Sequence, residues 1–330
     1  MRTDARTHRA TPFLCLLLAV AAGLAGWRVA APAQQADLGE APIFGDPYAA
    51  LTELGYSVTG GAAAGYVDDG VCATCHADLA ATYAEVGMAR SFHRPRAATG
   101  DEDFESGFFH SPSQRHYRML RDGEGYLLRR YQLDAAGEEI NVLEQPVDFV
   151  IGSGNHSRLY AYRNAAGELF QLPLAWYSQE GGHWGMAPGF ELGNHQGIRR
   201  QVRRECMFCH NAYPDVPAGS DEYRQPHVFP ERLPQGIGCQ RCHGPGARHA
   251  ALAFAEAPRP AAVRAAIVNP ARLEPARRDA VCESCHLQPA SQVFRPRRFD
   301  RADYSFRPGQ PLEDFLVPVD VELAGHPPEE

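Results

Sequence analysis

Eight cysteines of this chain fall into four pairs of one spacing, C-x-x-C, and a histidine follows every pair. The segments are Cys72-Ala-Thr-Cys75-His76, Cys206-Met-Phe-Cys209-His210, Cys239-Gln-Arg-Cys242-His243 and Cys282-Glu-Ser-Cys285-His286. Two thiols at this spacing with an imidazole directly after them are the attachment signature of haem c. The thiols add to the two vinyl groups on one porphyrin edge, and the adjacent histidine ligates iron from the proximal side. Disulfides would explain neither the short spacing nor four histidines at one fixed offset. A zinc site built from C-x-x-C pairs needs no histidine after each pair. The expected cofactors are therefore four covalently bound haem c groups.

Each iron has one further axial position, and what fills it separates electron transfer from substrate chemistry. Nine histidines lie outside the motifs after residue 33. His249 is the leading distal candidate. It follows Cys242-His-Gly-Pro-Gly-Ala-Arg-His249, and a reach of roughly 20 Å over six residues is used up by the Gly-Pro-Gly turn. It is expected to serve a neighbouring haem, not its own. His156 lies in Gly152-Ser-Gly-Asn-His, His195 in Gly193-Asn-His, and His110 and His116 flank a Ser-Pro turn. For each of these four, a ligand and a hydrogen-bonded structural histidine are both open readings. Met88, 12 residues past His76, is a thioether candidate, with a buried methionine as its alternative. His183, beside Trp184, reads as a supporting group; His93, His227 and His326 are set aside. Arg199, Arg200, Arg203, Arg204, Arg241 and Arg248 cluster near the motifs, where guanidinium groups suit haem propionates.

The elements that must position these groups are short. Asp78–Val86 reads as a helix ended near Gly87, and Ala250–Ala257 and Ala261–Ile267 as helices parted by Pro258 and Pro260. Between His76 and Cys206 lie 129 residues without a motif. There Tyr117–Leu120 and Tyr126–Tyr131 flank Arg121-Asp-Gly-Glu-Gly125, a hairpin signal, and Leu159–Tyr162 and Leu169–Leu174 flank Asn164-Ala-Ala-Gly167, a second one. The expected fold class is α+β: a multihaem cytochrome c, mainly short helices and coil around stacked haems, with an inserted β-hairpin region. The expected divisions are an export signal (1–33), a loose arm (34–66), a first haem-binding segment (67–103), a β-rich insert (104–190) and a three-haem domain (191–330). The signal rests on Arg2, Arg6 and Arg9, the apolar run Phe13–Trp27, and Ala31-Pro-Ala33 as the cleavage site. The run is short for a membrane span of about 20 residues. The formal charge of −8, with every basic residue an arginine, argues against nucleic-acid binding.

Beyond the motifs, Gly152-Ser-Gly-Asn-His, Leu172-Pro-Leu-Ala-Trp-Tyr, Gly181-Gly-His-Trp, Glu205-Cys-Met-Phe-Cys-His-Asn-Ala-Tyr-Pro and Gly236-Ile-Gly-Cys-Gln-Arg-Cys-His-Gly-Pro-Gly stand out. Over about 67–320 the chain resembles the cytochrome c-554-like multihaem cytochromes, most of all bacterial members that carry tetratricopeptide repeats further on. The resemblance implies closely stacked haems and electron transfer in the periplasm or cell envelope. Its Cys-His-Gly-Pro-Gly…His pattern maps onto Cys242, His243, Gly244, Pro245, Gly246 and His249. The pattern often has histidine where Met88 stands here, which opens the question of that haem's ligand. Related chains continue past the point matching Gly325–Glu330, so a truncated or split member is expected.

The reading is a periplasmic tetrahaem carrier of electrons between redox partners of the cell envelope. A membrane-associated quinol oxidase or reductase complex and a larger multihaem assembly are further partner options. One rival is a reductase of a small nitrogen or sulfur compound at an open haem. Another is a haem-bearing docking module of a larger assembly.

Overall fold

The computed structural model describes residues 48–59, 64–96, 100–212, 222, 224–286, 297–298, 301–302 and 304–317. The expected export signal, the end Gly325–Glu330 and His326 lie outside the described residues. Among the described residues, no helix is long and apolar enough to cross a membrane.

The helices are α1 (Ala49–Glu53), α2 (Asp69–Cys75), α3 (Ala77–Ala84), α4 (Arg204–His210), α5 (Gln240–His243), α6 (Ala247–Ala253), α7 (Pro260–Ala265) and α8 (Pro275–His286). Every motif occupies the last turn of a helix: α2 is capped by His76, and α4, α5 and α8 end on the motif histidine. Residues three and four apart share a helix face, so both thiols and the imidazole of a motif project to one side. The Asp68 carboxylate starts α2 by accepting from the Gly70 N–H at 2.7 Å. Part of the expected loose arm is ordered structure: α1 buries Leu51 completely against Val67, Val71, Ala247 and Ala250.

The strands are β1 (Phe92–His93), β2 (Gly107–His110), β3 (Arg115–Asp122), β4 (Gly125–Leu133), β5 (Glu139–Val147), β6 (Phe149–Ile151), β7 (Ser157–Arg163), β8 (Leu169–Tyr177), β9 (His183–Met186) and β10 (Arg200–Val202). One antiparallel sheet runs β2-β3-β4-β5; the other runs β1-β6-β7-β8-β10, with β9 also on β8. The turn between β3 and β4 has Gly123 at φ +58° as the first of two loop residues, where a side chain would be strained. Asn164 closes the β7–β8 loop, its Oδ1 accepting from the Ala166 and Glu168 N–H groups at 3.0 and 2.9 Å. Asp134-Ala-Ala-Gly-Glu138 makes the same turn between β4 and β5, with Asp134 Oδ1 accepting from Ala136 and Glu138, both at 2.9 Å. This third hairpin differs in turn sequence from the β7–β8 one only in the Asx residue, so the same signal marks it.

The sheets pack face to face through Tyr117, Met119, Tyr126, Leu128, Tyr160, Leu174, Trp176 and Trp184. The far face of the six-stranded sheet carries a second core, in which Phe92, Phe149, Leu169 and Val202 surround Met207 of α4. Burying these five side chains at about 1.5–3 kcal/mol each anchors motif two to the sheet. The β region therefore runs from Phe92 to Val202, past the expected limits of 104 and 190, because its outermost strands supply this core.

Four histidines expected as possible ligands, His110, His116, His156 and His195, belong to the β region, and three of them are engaged within it. His110 is buried, with Nε2 donating to the Glu191 carbonyl at 2.9 Å and Nδ1 paired with Ser113 Oγ at 2.7 Å. His195 accepts the Gly197 N–H on Nδ1 at 3.0 Å and meets Tyr117 Oη with Nε2 at 3.2 Å. With both ring nitrogens engaged, neither presents a lone pair to iron. His116 is layered between Phe109 (4.6 Å between ring centres) and Tyr131 (5.1 Å) on the face of β3 turned away from Tyr117 and Met119.

His195 makes the sheet region sensitive to acid. Its pKa is pulled from 6.5 down to about 4, first by burial and then by Arg115, His110 and Arg130. The unfolded chain therefore binds a proton that the folded chain refuses between those values, so stability falls as pH drops through that window and levels off below it. Chemical unfolding followed by circular dichroism at about pH 7 and about pH 4.5 is expected to show a loss of about 1 kcal/mol, after allowance for solvent screening, that His195→Gln removes. An identical loss in the variant would contradict this assignment.

Candidate haem sites

Motif one packs against motif three. Between α2–α3 and α5–α7 lies a cavity of about 890 Å³, at the upper end of cofactor-sized sites. Both thiols and the histidine of each motif line it: Cys72, Cys75 and His76 on one side, Cys239, Cys242 and His243 on the other. Its remaining wall is mostly apolar and includes Val71, Leu79, Phe254, Val263 and Ile267. Leu79 lies one turn past His76 and is 70% exposed, an apolar surface that a flat macrocycle would cover. The donor set and the wall both fit porphyrin.

His249 of α6 faces His76 across this space, with ring centres 6.4 Å apart and planes 18° from parallel. Two imidazoles sharing one metal through bonds of about 2 Å each hold their centres at a separation of this order. The His249 Nδ1–H donates to the Val263 carbonyl of α7 at 2.8 Å, which turns Nε2 toward the cavity. His243 is oriented the same way, Nδ1 to the Val268 carbonyl at 2.8 Å. Fixing one imidazole nitrogen on a main-chain carbonyl is how metal-binding histidines are aimed.

Motif three also meets the other two motifs. Cys209 hydrogen-bonds Cys285, which, with Arg241 nearby, holds the Cys285 thiol below the ordinary range. Cys72 and Cys239 form a second close pair, both sulfurs within 4.8 Å of each other and of the Asp69 carboxylate. That contact and burial push the Cys72 thiol up. The thiols thus pair one with three and two with four. His210 of motif two is held below its ordinary pKa by burial, which favours the neutral, metal-binding imidazole. Its carbonyl accepts from Ser91 Oγ at 2.8 Å.

The remaining expected residues are dispersed. Met88 is 42% exposed and is not part of the cavity wall; its carbonyl instead holds the Ile237 N–H at 2.9 Å. The side chain that faces His76 is His249 instead. His156 is exposed in the β6–β7 loop, which is joined to motif two through Ser91: its backbone carbonyl accepts the Gly152 N–H at 2.7 Å. His183 lies on Tyr177 at 5.5 Å. Two of the arginines assigned to propionates are buried elsewhere: Arg204 donates to the Pro226 carbonyl at 2.9 Å, and Arg241 to the Phe208 carbonyl at 2.6 Å while lying 4.1 Å over the Phe208 ring. The arginines on the cavity wall are Arg264 and Arg272, which the sequence reading passed over. His93, set aside on sequence, pairs its Nδ1 with the Arg90 carbonyl at 3.1 Å, which leaves Nε2 for another partner. No local sequence signal marks these three; the fold alone brings Arg264 and Arg272 to the cavity wall.

No protein-family model matches the chain, and no curated protein matches it. Among solved structures it is similar to an undecahaem cytochrome from the S-layer of Carboxydothermus ferrireducens, at 20% identity and a TM-score of 0.35. The match covers 71% of this chain and 27% of that one, so this chain spans little more than a quarter of that protein's length.

Proposed function

We propose that this chain is an exported tetrahaem c-type cytochrome that passes electrons between redox proteins of the cell envelope. The observation that carries the reading is the convergence of Cys72, Cys75 and His76 with His249 on one apolar cavity shared with motif three. Haem c supplies reversible one-electron chemistry at its iron. The chain supplies the rest. His76, His210, His243 and His286 are the proximal ligands. His249, aimed by the Val263 carbonyl, is the distal ligand to the haem on Cys72 and Cys75. His156 and His93 are the candidates for further distal positions. Arg264 and Arg272 suit propionates at the cavity rim. The pairing of thiols one with three and two with four would favour electron hopping between haems held on those motifs. A six-coordinate iron cannot bind substrate, which is why His249 supports a carrier.

The reductase reading is kept alive by one observation. His110 and His195 have both nitrogens engaged, and His116 and His183 lie against aromatic rings. That shortens the supply of distal ligands and leaves room for an open haem.

Two measurements test the proposal. The chain, expressed with a working haem-attachment system, is expected to gain the mass of four haems; fewer would sink the tetrahaem reading. His249→Ala is expected to keep that mass and convert one low-spin haem to high-spin in the electron paramagnetic resonance spectrum. A spectrum identical to that of the parent protein would rule His249 out as a ligand.

A further inference from the structure

Gln240 lies between the two cysteines of motif three, at a position whose identity haem attachment does not specify. Its side-chain amide is buried, and all four of its hydrogen-bonding positions are filled. Oε1 accepts from the Val67 N–H at 3.1 Å and from the Gly246 N–H at 2.9 Å. Nε2 donates to the Val67 carbonyl at 2.6 Å and to Asp69 Oδ1 at 3.0 Å. A primary amide has two donors and two acceptor lone pairs, so this one is used to capacity. Against Val67 it plays the part of a neighbouring strand, giving and taking one bond. The other oxygen of Asp69 accepts the Cys239 N–H at 3.1 Å.

The two segments it joins lead into the facing imidazoles. Asp69 is the first residue of α2, which ends at His76. Gly246 is the cap residue of α6, and His249 lies three residues further on. One side chain therefore grips the starts of both helices whose histidines face each other at 6.4 Å. The approach is close enough to require glycine on two sides. A Cβ at Gly238 would land on the Asp69 carboxylate, and one at Gly246 would press on Gln240 Oε1. Metal sites need ligand placement within about 0.5 Å, so a small slip of either helix is enough to lose a bond.

We infer that Gln240 is a positioning residue that sets the His76–His249 separation, and with it the axial coordination of the haem on motif one. This rests on the haem reading above. The variant Gln240→Leu keeps the bulk and removes all four bonds. Its control is Gln171→Leu, a similarly buried glutamine on β8 outside the cavity wall. Haem content is read by intact mass, and spin state by electron paramagnetic resonance of the oxidised protein. The expected result is four haems in all proteins, with about one haem in four turned high-spin in Gln240→Leu and none in Gln171→Leu. Four haems with the parent spectrum in Gln240→Leu would overturn the inference, as would the same spin change in the control. If Gln240→Leu does not accumulate, Asp69→Asn, which disturbs only one arm of the brace, is read by the same criteria. A parent protein without haem would refute the haem reading itself, and mass alone reports that.

Discussion

Packing motif three into the molecule requires partners for its polar groups, and those partners come from the chain segments around motifs one and two. A buried N–H or carbonyl left unpaired costs about 1–3 kcal/mol. Between Gly236 and Arg241, main-chain and side-chain groups both find such partners. Gly236 N–H donates to the Phe92 carbonyl at 2.7 Å, and the Gly236 carbonyl accepts from Ala212 N–H at 2.6 Å. Ile237 N–H donates to the Met88 carbonyl at 2.9 Å, and the Ile237 carbonyl accepts from Tyr83 Oη at 2.9 Å. Asp69 takes the Cys239 N–H, Gln240 reaches Val67 and Gly246, and Arg241 reaches Phe208. Motif three is thereby fixed to motif one by its first variable residue and to motif two by its second.

The β region takes part in the same construction. The six-stranded sheet has two buried faces, which is why β8 reads Leu-Phe-Gln-Leu-Pro-Leu-Ala-Trp-Tyr with little alternation. Pro173 is tolerated there because the β7–β8 register slips between Leu159 and Ala161. One face meets the other sheet; the opposite one seats Met207 and so α4. Arg163 extends the contact by donating to the Glu231 carbonyl at 3.1 Å and the Pro230 carbonyl at 2.6 Å. The strands between motifs one and two are thus the platform for motif two.

Histidine chemistry in this molecule divides by where the first ring nitrogen goes. In His243 and His249, Nδ1 sits on a main-chain carbonyl from the segment that follows α6, and Nε2 points into the cavity. In His110 and His195 both nitrogens close hydrogen bonds inside the sheets. The residue type is the same; the second partner determines whether a lone pair is presented to a metal.

The sequence alone determined which thiols and imidazoles stand together, because C-x-x-C-H is a local pattern that needs only helical geometry to bring them to one side. It also determined the turns, since Asp-Gly and Asn-Ala-Ala-Gly work through the backbone of four or five adjacent residues. For His249, the Gly-Pro-Gly spacing was enough to direct it away from motif three's own thiols, but not to say toward which motif. Tertiary structure alone decided that His76 is its counterpart, that His110 and His195 serve the sheets, and that Arg264 and Arg272 line the cavity in place of Arg204 and Arg241. It alone gave Gln240 and Asp69 their work, through bonds that span some 170 residues of chain. Hydrogen bonds between distant segments leave no periodicity or spacing to read; they exist only once two buried backbones must share the same polar side chain.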